Sequence, residues 1–138
     1  MPGRYPAMMF HRFRSFFILA ALTGCMGDMC GNRILRTATS PDGRYTAVTF
    51  ARDCGATTRA STQVSILTPG EDPPDGGNIF IAEPNSGLDA RPGRDGVEVT
   101  WLGPTRLRIR YDRSAHVFMR VEAFGDVTVD YAFSEAPN

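Results

Sequence analysis

With 138 residues, 42% of them hydrophobic and 22% charged, the chain is long enough for one packed domain and too short for a multidomain enzyme. Fifteen basic residues, all of them Arg, balance fifteen acidic ones, and without a basic tract there is no electrostatic footprint for nucleic acid. Fourteen Gly and ten Pro speak for many turns and against a helical bundle.

The chain opens with Arg4, Arg12 and Arg14 and no acid, followed by the apolar run 16–22, FFILAAL. A basic stretch before a short apolar one reads as an export signal. The run is too short to span a bilayer, which needs about 20 apolar residues. It ends in Leu22-Thr23-Gly24-Cys25, which resembles the lipobox of bacterial lipoproteins. The resemblance implies cleavage before Cys25 and a diacylglyceryl thioether on its sulfur, with further acylation such as palmitate. Two or more acyl chains hold a protein stably at a bilayer, where one is marginal. Residues 1–24 are therefore expected to be a lipoprotein signal peptide and 25–138 a β domain. The alternative is ordinary signal cleavage nearby and a secreted, soluble protein. Either way three Arg are lost, leaving twelve against fifteen acids, a net charge of −3.

The cysteines are Cys25, Cys30 and Cys54, an odd number for an exported protein. If Cys25 is acylated, an even pair remains in an oxidising compartment, which predicts a Cys30–Cys54 disulfide. The rival is a reactive Cys54 thiol, which would need a base, and His116 is the one histidine beyond the signal. No spacing of Cys and His suits zinc.

Beyond residue 33 the hydrophobic period is two. Residues 33–39 predict a first strand, closed by Ser40-Pro41-Asp42-Gly43, in which Pro fixes φ, Asp closes an Asx-turn and Gly takes positive φ. Strands are expected at 44–51, at 63–68 with Val64 and Ile66 on one face, and at 79–82, a short apolar strand buried on both faces. Residues 69–78 and 84–96, rich in Gly, Pro and Asp, are expected as flexible, exposed loops. Their acids do not match calcium-loop spacing.

The last third alternates cleanly. Val97, Val99 and Trp101 precede a Gly103-Pro104-Thr105 turn, then come Leu107, Ile109 and Tyr111, then Val117, Met119 and Val121, then Val127, Val129, Tyr131 and Phe133. Four such strands predict a meander packed on one face. The expected fold is all-β: a small antiparallel sandwich or partly open barrel of about eight strands. In the 97–111 hairpin the alternation predicts partners whose numbers sum to 208, so that Trp101 opposes Leu107 and Glu98 opposes Arg110 as an ion pair.

Ser40–Tyr45 (SPDGRY) and Trp101-Leu102-Gly103-Pro104-Thr105-Arg106-Leu107 resemble turns of TolB-type β-propeller repeats. Eight strands make two blades, and a propeller needs at least four. A wider likeness runs through Cys30-Gly31-Asn32, SPDGRY, DCGATT at 53–58, STQVSIL at 61–67 and GGNIF at 76–80, and resembles small proteobacterial lipoprotein-like proteins of unknown function. It implies the fold and the compartment, and no activity.

The most unusual local chemistry is Asp53, Thr57, Thr58 and Ser61, read either as a hydroxyl-lined recognition loop or as a loop satisfying its own backbone. The leading expectation is a non-catalytic lipoprotein facing the periplasm, held to a membrane of the cell envelope, whose β domain binds an envelope protein or component without cofactor or metal. The alternatives are a periplasmic inhibitor or immunity protein acting through an exposed loop, and an enzyme using Asp53, His116 or Glu98.

Overall fold

The computed structural model describes residue 3 and residues 30–55, 58–84 and 96–134. The expected signal segment, Cys25, Thr57 and most of the 84–96 loop lie outside the described residues. The period-two pattern becomes nine strands with no helix among the described residues: β1 (Gly31–Thr39), β2 (Thr46–Asp53), β3 (Ser61–Leu67), β4 (Phe80–Glu83), β5 (Val97–Gly103), β6 (Arg106–Tyr111), β7 (His116–Arg120), β8 (Ala123–Phe124) and β9 (Val127–Phe133). They form one sheet in the order β1-β2-β3-β4-β7 and another in the order β5-β6-β9-β8.

The two sheets bury a shared core. Ala47, Val64, Ile66, Phe80 and Ala82 from the first meet Val97, Leu107, Ile109, Tyr111, Val127 and Val129 from the second. Sidedness follows from alternation, since every second residue of each strand faces the partner sheet. The protein is an all-β sandwich, not closed into a barrel.

The C-terminal strands depart from the expected meander. β7 crosses to the first sheet and pairs with β4, and β9 then pairs parallel with β6. Alternation reports that a strand has one buried face and is silent on which sheet claims it. The Tyr131 hydroxyl links the two sheets there: it accepts from the Val121 N–H at 3.1 Å and reaches the carbonyls of Val121 and Ile79 at 2.7 and 3.0 Å. Burial pushes its pKa up to about 12, so it stays a neutral hydroxyl through the physiological range. One side chain of β9 thus fastens the end of β7 beside the start of β4.

The SPDGRY segment is a structural turn that docks on the second sheet. Asp42 accepts from the Arg44 N–H at 3.2 Å and from the Ser40 hydroxyl at 2.8 Å, and Gly43 takes φ 74°. Arg44 bridges Asp42 and Asp126, and the Tyr45 hydroxyl donates to Asp126. The Arg44 guanidinium, followed by the Ser40 hydroxyl, lowers the Asp42 pKa to about 2. A depressed folded-state pKa stabilises at pH above the ordinary 3.8, and that contribution fades as pH falls toward 2. Asp42→Asn is therefore expected to be less stable than wild type near neutrality. Acid titration followed by circular dichroism should show the gap closing between pH 4 and pH 2, and a pH-independent gap would contradict this.

Cys30 and Cys54 form a disulfide, 24 residues apart. The β1–β2 register pairs Gly31 with Asp53, so the bridge joins the next residue on each strand and closes the hairpin's open end. Closing a loop of this length contributes about 3 kcal/mol. Cys54→Ala should lower denaturant stability by about that amount, and reductant should lower wild type equally while leaving Cys54→Ala unchanged.

The segment between β3 and β4, expected as a free loop, is exposed over 68–76 and tied down at its far end. It returns across the outer face of the first sheet, where the Asn32 amide donates to the Asp75 carbonyl at 3.0 Å and Arg52 donates to the same carbonyl. That face carries a second small core of Val48, Phe50 and Leu67.

Candidate functional site

The end of the first sheet that the disulfide closes also collects the ends of β2 and β4 and the starts of β3 and β7. A depression of about 490 Å³ opens there, lined by Thr58, Arg59, Ser61, Ile81, Glu83 and Phe118. The β2–β3 connection supplies Thr58 and Arg59, both exposed, and β3 begins with Ser61. On β4, Phe80 and Ala82 face the core, which turns Ile81 and Glu83 outward. The β4–β7 register pairs Ala82 with Val117 and Ile81 with Met119, so Phe118 sits in a bulge and projects from the sheet, 59% exposed. His116, the register partner of Glu83, packs its ring edge-on against Phe118 at 4.6 Å between centroids.

The predicted recognition residues divide. Thr58 and Ser61 line the depression. Asp53 serves the turn, accepting from the Gly55 N–H at 3.0 Å, and Gly55 takes φ 104°. Thr58 closes that turn through its own N–H to the Gly55 carbonyl at 3.2 Å, and Ser61 accepts from the Gln63 amide at 2.8 Å. Asp53, Thr58 and Ser61 thus each satisfy local backbone or side-chain groups, while Asp53 and Thr58 remain exposed.

Glu98 lies on β5 in the second sheet, while Asp53 ends β2 and His116 begins β7 in the first. Among the described residues no group of three or more His, Cys, Asp or Glu is placed to hold a metal ion. Among them too, no helix is long and apolar enough to cross a membrane.

Sequence reasoning passed over Arg59, Ile81, Glu83 and Phe118. The signal for Phe118 was present: the alternation of β7 puts an aromatic ring on the face it shares with charged residues. The others become neighbours only through the β3-β4-β7 pairing, which spans 38 residues between Ile81 and Met119.

Comparison of the chain with protein-family models, with curated proteins and with solved structures finds no match. The structure itself defines a small sandwich, disulfide-closed at one end, with an amphipathic depression beside that closure.

Proposed function

We propose that this protein is a non-catalytic lipoprotein of the bacterial cell envelope, anchored through acylated Cys25 and binding an envelope component at the disulfide-closed end of its β domain. The observation that carries this reading is a juxtaposition. Four residues separate Cys25 from Cys30, and Cys30 closes the end where Arg59, Glu83 and Phe118 line one depression. The disulfide fits an oxidising compartment. Export is further supported by the basic-apolar segment ending in Leu22-Thr23-Gly24-Cys25. A binding rather than a catalytic role is supported by the use of Asp53 in a turn, where its carboxylate accepts from the Gly55 N–H.

Cys25→Ser is the direct test. In a bacterial host the wild type should fractionate with membranes and take up labelled fatty acid, and the variant should do neither. A variant that remains membrane-bound, beside a wild type that takes up no label, would overturn the anchor.

A further inference from the structure

An extended chain advances at most about 3.3–3.6 Å per residue, so the five steps from Cys25 to Cys30 reach roughly 17 Å. The head-group layer between hydrocarbon and water is about 5–8 Å thick on each side of a bilayer. A thioether at Cys25 therefore keeps Cys30, and with it the closed end of the sandwich, within roughly 10 Å of the head-group surface. The depression lies at that same end. Adjacent strands are spaced about 4.8 Å apart, so β7 lies to the side of β1 by roughly 19 Å and not above it.

Its lining suits such a surface. Arg59 and Glu83 bring opposite charges to one depression, and the ion pairs among the described residues are made elsewhere. Thr58 and Ser61 add hydroxyls. Ile81 and the projecting Phe118 add apolar area, the residue type that amphipathic surfaces bury at the head-group boundary. A cation, an anion and an aromatic ring side by side complement a zwitterionic head group, whose phosphate and ammonium are joined by a short linker above an apolar chain.

We propose that this depression seats a zwitterionic phospholipid head group of the bilayer that holds the anchor, with Arg59 toward the phosphate, Glu83 toward the ammonium and Phe118 inserted at the glycerol level. The proposal rests on the reading of Cys25 as the anchor and names the component bound. It fixes the orientation of the domain: the closed end faces the membrane and the SPDGRY turn faces away.

Trp101, the single tryptophan, gives an internal control. Its indole N–H donates to the Ala38 carbonyl, eight residues along β1 from Cys30 and so roughly 26 Å from the closed end. The full lipoprotein and its Phe118→Trp variant are placed in phosphatidylethanolamine-containing vesicles whose acyl chains carry bromine near the head group. Emission from wild type should be unaffected by the bromine. Phe118→Trp should add a blue-shifted component that the brominated lipid quenches. Arg59→Glu in that background should abolish the added quenching while the protein still floats with the vesicles. If protein that floats with the vesicles shows no quenching at position 118, the docking is overturned and the face is left to a protein partner. If wild type does not float, the anchor has failed instead. Quenching of Phe118→Trp at high lipid excess then retains the head-group site, and its absence removes it.

Discussion

Trp101→Ala is expected to lower unfolding free energy by about 3 kcal/mol, and Arg110→Ala by less than about 1 kcal/mol. Both residues lie on the β5–β6 hairpin, on opposite faces. The observed register pairs Val97 with Tyr111, Val99 with Ile109 and Trp101 with Leu107, all on the face toward the core. The Trp101 ring is half-buried and stacks on Tyr45 at 6.3 Å, and its N–H donates to the Ala38 carbonyl at 2.8 Å. Truncation removes contacts in both sheets together with a hydrogen bond between them, which places the cost at the lower end of the range for a large aromatic. Arg110 opposes Glu98 on the outer face, but the expected ion pair is not formed: the ion pairs among the described residues join other side chains. Its Nε is shielded from solvent without a hydrogen-bond partner, so little is lost with it. Urea unfolding of the two variants decides the matter, and equal destabilisation would contradict the assigned faces.

Gly77→Ala should cost about 3 kcal/mol while Gly76→Ala is neutral or stabilising by up to about 1 kcal/mol. A Cβ on Gly77 would stand 2.7 Å from the Phe80 carbonyl oxygen and 3.1 Å from that of Val64, both backbone atoms of neighbouring strands that cannot move aside cheaply. The same glycine donates its N–H to the Gln63 side chain at 2.6 Å. Asn78 then continues the join, its amide accepting from the Ile66 N–H and donating to the Ile66 carbonyl, each at 2.8 Å. A Cβ on Gly76 would meet only the Gln63 Oε1 at 3.7 Å, an ordinary contact, and the smaller freedom of Ala in the unfolded chain favours folding. Thermal unfolding of the two neighbouring variants separates close approach from general intolerance of change in this segment. If both unfold at the wild-type temperature, the close approach is not there.

Local chemistry was legible in the sequence wherever a short-range rule governs it. Asp42 and Gly43 form the expected Asx-turn with positive φ at the glycine, and the predicted hairpin partners from Val97 to Trp101 hold. The register slips only at Leu102, where a bulge lets Gly103 pair with Arg106 and shortens the expected three-residue connection to Pro104 and Thr105. Cys30 and Cys54 were legible by counting, and their place in the hairpin ladder supplies the geometric reason. What alternation could not reveal was the assignment of β7 to the first sheet. β7 takes its place through its ladder with β4, and the Tyr131 hydroxyl meets the Ile79 carbonyl beside it across 52 residues. The depression inherits the same difficulty, since Phe118 joins Arg59 and Glu83 only after β7 has paired with β4.

The chemistry of residue 25 underlies the placement of the domain, and it is measured on the protein itself. Mass spectrometry of the N-terminal peptide from detergent-extracted, membrane-purified protein should find Cys25 as the first residue, with the added mass of a diacylglyceryl group and any further acyl chain. An unmodified Cys25 preceded by residues of the leader, or a mature chain beginning at another position, would contradict the account.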